Sequence, residues 1–187
     1  MTAEPAVRPP RMDVDQFLTW ALDRPGRYEL VGGEVVAMAP QRVRHADVKF
    51  AVQSALRSAI RRAGTSCHML PDGMTVRIDA ETAYEPDALV YCGPPLPPDA
   101  VEVPEPVIVV EVLSPGTKRV DTGEKFSGYF SLPSIRHYLI VNPTTRVVTH
   151  HARGTGDLIQ SRIVAEGPLS LDPPGLELGA ADLFATD

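Results

Sequence analysis

The chain has 187 residues, 43% hydrophobic and 22% charged, with a formal net charge of −6. That is an ordinary globular balance with mass enough for a sizeable core, and no apolar stretch approaches a membrane span. The negative balance speaks against broad, nonspecific DNA binding, which needs clustered Lys and Arg on phosphates.

One basic segment runs against that balance: Arg42, Arg44, Lys49, Arg57, Arg61 and Arg62. It reads mainly as the solvated face of a helix. Cys67 and Cys92 make no disulfide framework and read as small core residues, so a reducing cytoplasm is the default location. Residues 1–12 hold prolines and small residues and no apolar signal-peptide segment. They are expected to form a flexible tail ahead of one domain over 13–187.

Asp13 stands at a helix-cap position before a run to residue 22 that Pro25-Gly26 stops. Segments 28–31 and 34–38 flank Gly32-Gly33, the pattern of a tight hairpin. From 43 to 63, Val48, Val52, Ala55, Leu56, Ala59 and Ile60 recur at spacings of three and four. This is the period of a long helix, with Gly64 as its C-terminal cap. Segments 74–78, 88–91 and 107–113 read as strands, the last two joined by a proline-rich loop. Asp121 and Glu124 fit a capping box that opens a helix running to about residue 132. Segments 138–141 and 147–149 suggest another hairpin, 158–164 a strand and 180–184 a short terminal helix. The order predicts an α/β fold with a mixed sheet.

The chemistry concentrates on a few acids. Glu111 lies inside Val107-Ile108-Val109-Val110-Glu111-Val112-Leu113, a β-branched run that reads as a strand buried on both faces. An ionised carboxylate there needs compensation. Asp87 opens another strand, and Lys125 follows two further acids, Asp121 and Glu124. Carboxylates at strand ends beside a lysine suit a divalent cation and a polarised water.

The residues alone leave second readings open. Glu111 fits a buried ion pair with an arginine, Asp87 a strand-start turn, and Lys125 a solvated helix turn. Glu29 alternates with Tyr28 and Leu30, which puts it on the solvent face of a hairpin. His45, early in the long helix, reads either as a surface histidine or as a contact to a phosphate or metal shell. His150-His151 is not a chelating pair, because neighbouring strand residues point to opposite faces. Cys67-His68 lacks partners at zinc-finger spacing.

Five segments then occur in a telling order: Tyr28-Glu29-Leu30-Val31-Gly32-Gly33-Glu34, Pro86-Asp87-Ala88-Leu89-Val90, Val110-Glu111-Val112-Leu113-Ser114-Pro115-Gly116-Thr117, Asp121-Thr122-Gly123-Glu124-Lys125 with Tyr129, and Tyr138-Leu139-Ile140-Val141-Asn142-Pro143. In order and spacing this resembles the Uma-two family of restriction-endonuclease-like proteins, within the PD-(D/E)XK nuclease superfamily. The resemblance runs from Asp13 over nearly the whole chain.

It implies a restriction-endonuclease-like central mixed β-sheet flanked by helices, with an N-terminal hairpin and a metal site at the sheet edge. Asp87 matches the PD aspartate and Glu111 the acid of the (D/E)XK element. Leu113 stands where that element has its lysine, and Lys125 in the following helix matches the relocated group. Glu29 and His45 match an auxiliary acid and a recurrent histidine. Gly32, Leu139 and Asn142 depart from frequent family choices at peripheral positions.

The implied activity is Mg2+-dependent endonucleolytic hydrolysis of DNA phosphodiesters, with Mn2+ able to substitute. Asp87 and Glu111 would hold the metal, and Lys125, Glu29 and His45 would assist. DNA is the implied partner, and a homodimer is the assembly expected where both strands are cut. The competing expectation is a nuclease fold kept as a nucleic-acid-binding or assembly module without catalysis.

Overall fold

The computed structural model describes residues 11–114 and 120–185, with the backbone alone for 120–122. The first helix, α1 (Val14–Leu22), opens with a capping box in which Asp13 Oδ1 accepts from Gln16 N–H and Gln16 Oε1 from Asp13 N–H. These bonds satisfy donors that a first helical turn leaves over. In the hairpin of β1 (Tyr28–Val31) and β2 (Glu34–Ala37), Gly32 and Gly33 both have positive φ. A two-residue turn of this kind requires that conformation.

Arg11 and Met12 belong to this unit, not to a tail. Arg11 Nη2 donates to Gly32 O at 2.5 Å, and the N–H of buried Met12 donates to Gly33 O at 3.0 Å. The rest of the expected tail lies outside the described residues.

The long helix α2 (Val43–Ala63) has the bounds its periodicity predicts, and Gly64 caps it in the left-handed conformation. Then come β3 (Cys67–Pro71), β4 (Val76–Arg77), β5 (Ala83–Tyr84), β6 (Ala88–Cys92), β7 (Pro106–Val112) and α3 (Val120–Ser131). The chain finishes with β8 (His137–Asn142), β9 (Val147–Arg153), β10 (Ile159–Val164), β11 (Pro168–Leu171), β12 (Leu176–Gly179) and a 3-10 helix (Ala180–Phe184). Because α3 begins at Val120, Asp121 stands inside the helix and not at its cap, and Glu124 is exposed on it. No helix among the described residues is long and apolar enough to cross a membrane.

Six strands form the central sheet in the order β10-β9-β8-β7-β6-β3. The β7–β8 pair is parallel and its neighbours are antiparallel, so the sheet is mixed. A four-stranded sheet, β2-β1-β5-β4, and the β11–β12 pair complete the strands. One face of the central sheet carries Ala88, Val90, Ile108, Val110, Leu139 and Val141 against Val48, Val52 and Leu56 of α2. The other carries Leu89, Val109, Tyr138 and Ile140 against Tyr84 and Tyr129.

On this second face α3 must come close to β5. A Cβ on Gly128 would lie 2.7 Å from the Tyr84 ring, so only glycine permits the approach. At the far end, Arg153 donates to the carbonyls of Phe130, Leu132 and Ile135, satisfying acceptors that the end of α3 leaves over.

Two expectations about cysteine and histidine meet different fates. Cys67 and Cys92 form a disulfide, contrary to their reading as unpaired core residues. They are direct partners in the β3–β6 ladder, a register that sequence could not supply once β3 went unrecognised. His150 and His151 do take separate surroundings: His151 Nδ1 meets the Ser161 hydroxyl at 2.6 Å, whereas His150 is buried against His137.

The Pro173 carbonyl can only accept, so His137 Nε2 carries the proton in their 3.0 Å bond. His137 Nδ1 then accepts from His150 Nε2 at 2.9 Å, which leaves His150 Nδ1 a buried acceptor without a partner among the described residues. Burial, reinforced by His137, pushes His150 from 6.5 down to about 4. The unfolded chain therefore binds the extra proton first, and stability is lost as pH falls from about 6.5 to about 4. Urea midpoints measured across that window should fall in the wild type and fall less steeply in His150→Gln, in which His137 and His151, also lowered by burial, remain. An unchanged slope in the variant would assign the acid loss to other groups.

Candidate active site

Glu111 is buried near the end of β7, and α3 supplies its partners. Lys125 Nζ donates to Glu111 Oε1 at 2.9 Å, and the Tyr129 hydroxyl, one helical turn on, donates to the same oxygen at 2.8 Å. Lys125 is only 3% exposed and lies 5.5 Å above the Tyr84 ring, so its charge is held in a dry environment. Burial, and next the Glu111 charge, push the Tyr129 phenol well above its ordinary range, so it stays a proton donor.

The same ammonium donates to Glu29 Oε1 at 2.9 Å. Glu29 is therefore buried and not on a solvent face, and its Oε1 also accepts the Glu85 N–H at 2.9 Å. The alternation that places Leu30 in the core against α1 turns Glu29 toward α3, so both faces of β1 are covered while β2 stays largely exposed.

Asp87 reaches the same end of β7 from the neighbouring strand. Its N–H donates to Val110 O at 2.9 Å, and its Oδ2 accepts the Val112 N–H at 2.7 Å. Asp87 and Glu111 thus bracket one peptide stretch. His45, on the first turn of α2, donates from Nε2 to Val112 O at 2.7 Å, with Asp87 Oδ2 3.7 Å away. The carbonyl fixes a proton on Nε2, and His45 Nδ1 is buried without a partner among the described residues.

A second lysine completes the site. Lys49 Nζ lies 2.8 Å from Asp87 Oδ1 and 2.7 Å from Asp72 Oδ2. Asp72 also meets Arg27 at 2.6 Å, and Arg27 meets Glu85 at 2.5 Å. Burial works against the Asp72 charge, but the Lys49 hydrogen bond and the charges of Lys49 and Arg27 hold its carboxyl below the usual range. For Glu85 burial prevails over Arg27 and raises it.

The basic run over 42–62 had placed Lys49 on a solvated face, yet it is 4% exposed. The signal was present: Lys49 follows His45 by four residues and precedes Gln53 by four, one side of a helix. Asp72, Arg27 and Glu85 had no comparable signal, because they converge only through the fold. A surface hollow of about 610 Å³ between α2 and the C-terminal 3-10 helix is lined by other residues, Phe50 and Asp182 among them.

The pairings imply an asymmetry. Lys125→Met removes the ammonium that two buried carboxylates share and should destabilise the metal-free protein by about 3–5 kcal/mol. Glu111→Gln leaves Lys125 paired with Glu29 and should cost less, about 1–3 kcal/mol. Urea melts in a chelator measure both. Equal losses would show that Glu29 does not hold the lysine alone.

With this geometry described, the chain can be set beside known proteins. The Uma2 family model, described as "Putative restriction endonuclease", matches residues 14–184. A Synechocystis protein, "Uncharacterized protein slr1290", is 26% identical over 177 residues, covering 94% of this chain and 92% of its own. The crystal structure of "a putative nuclease belonging to DUF820" from Anabaena variabilis superposes with a TM-score of 0.71 at 13% identity, over 92% of this chain and 97% of that one. At that identity the match speaks to the fold, and the fold is the mixed sheet with flanking helices described above. With a family model spanning nearly its whole length, the chain belongs to the Uma2 family of restriction-endonuclease-like proteins.

Proposed function

We propose that this protein is a metal-dependent endonuclease that hydrolyses DNA phosphodiester bonds, with Mg2+ held by Asp87 and Glu111 and Mn2+ able to substitute. The observation that carries the reading is the anchoring of Asp87 on the N–H of Val112, the residue after Glu111. It brings two buried carboxylates from adjacent strands to one end of β7.

Among the described residues no group of three or more His, Cys, Asp or Glu is arranged to hold a metal. Two carboxylates nonetheless fit Mg2+, which takes one or two and fills its remaining positions with water and substrate phosphate oxygens.

Bound there, the cation would lower the pKa of a water and offset charge on the scissile phosphate. Lys125 Nζ, beside Glu111, would orient that water or hold a phosphate oxygen, with Glu29 keeping the ammonium in place. His45 would fix the Val112 peptide on which Asp87 rests. A two-fold homodimer would present one such site to each DNA strand.

One observation favours the non-catalytic reading: each site carboxylate already has a lysine against it. Plasmid cleavage in Mg2+ decides. The wild type should cut; Asp87→Ala and Glu111→Gln should not. Lys125→Ala should lose about 100-fold or more, and adding Leu113→Lys should return part of it. Binding without cutting by the wild type would support the non-catalytic module. Full activity in Lys125→Ala would remove that lysine from the reaction.

A further inference from the structure

We propose that Lys49 is the resident counter-ion of Asp87, and that a divalent cation takes over that role while Lys49 stays bound to Asp72 and Gln41. The proposal rests on the metal-site reading above. An ammonium has three protons to donate. Those of Lys49 meet Asp87 Oδ1 at 2.8 Å, Asp72 Oδ2 at 2.7 Å and, in the amide orientation that satisfies both its neighbours, the Gln41 side-chain oxygen at 2.8 Å. If Asp87 turns to a metal, Lys49 loses one acceptor and keeps two without leaving its place.

Asp72 suits the retaining role. Its side chain is 28% exposed and already carries Arg27. Lys125 repeats the plan from the other helix, sharing itself between Glu111 and Glu29. Each carboxylate assigned to the metal is thus paired with a lysine that has a second acid to hold it. Two buried carboxylates would otherwise repel each other in the metal-free protein, and a resident lysine for each removes that cost.

A merely structural lysine and a counter-ion act on metal affinity with opposite signs. Removing a structural lysine disorders Asp87 and weakens metal binding. Removing a counter-ion leaves Asp87 in need of a cation and strengthens it. Mn2+ titration calorimetry and Mn2+-dependent thermal melts on the full chain read this directly.

In Lys49→Met, the metal-free midpoint should fall, the rise on adding Mn2+ should exceed that of the wild type, and Mn2+ should bind about tenfold tighter or more. Lys49→Arg should restore wild-type affinity. Asp72→Asn removes an acid at a part-exposed position and leaves Lys49 with Asp87 and Gln41. It frees Lys49 to hold Asp87 harder, and Mn2+ should bind more weakly. Equal or weaker Mn2+ binding in Lys49→Met, or unchanged binding in Asp72→Asn, overturns the counter-ion role. If the wild type binds no Mn2+, both this inference and the metal-site reading fall.

Discussion

A carboxylate in the most apolar strand of the sheet must meet a cation, and the packing of one face depends on where that cation comes from. Glu111 sits between Val110 and Val112 in β7 and is only 4% exposed. The cation is Lys125, carried by α3. To bring it there, α3 approaches Tyr84 so closely that Gly128 cannot bear a Cβ, and Arg153 ties down the end of the helix. Lys125 then binds Glu29, so one ammonium joins the β1 hairpin, α3 and the central sheet. Breaking a buried pair of this kind leaves an uncompensated charge, which is why its parts are hard to exchange singly.

Asp87 poses the same problem, and α2 answers it with Lys49. From there the contacts continue through Asp72, Arg27 and Glu85, whose N–H returns to Glu29. A single polar network therefore runs between the two helices, past the ends of β6 and β7. Buried networks stabilise when every member is satisfied and become liabilities when one is not. Among the described residues that rule is relaxed within the network at Arg27 Nη2 and His45 Nδ1, both buried without a partner.

The elements legible in the sequence are those with local causes. The bounds of α2 come from a helical period and a glycine cap, and the first hairpin from Gly32-Gly33. The β7 run reads as buried on both faces because it has no polar alternation except Glu111. What escaped depends on distant partners. β5 is two residues long, too short to show any period, yet it sets the place of Tyr84. The Cys67–Cys92 pair needs the β3–β6 register. Glu29 looked solvent-facing because a lone hairpin has an open side, which α3 covers here. Lys49 looked like one more surface cation, since the acids that bury it lie 23 and 38 residues further along. The family motifs nevertheless singled out Asp87, Glu111, Glu29, His45 and Lys125, which the fold brings to one region.

The central claim is that Asp87 and Glu111 form one divalent-cation site whose charge is balanced by lysines when no metal is bound. An anomalous-difference map from crystals grown with Mn2+ tests it most directly. The expected result is a peak within coordination distance of both carboxylates, with Lys49 drawn toward Asp72 and Lys125 toward Glu29. A peak elsewhere, or both lysine pairs undisturbed with no manganese between them, would contradict it.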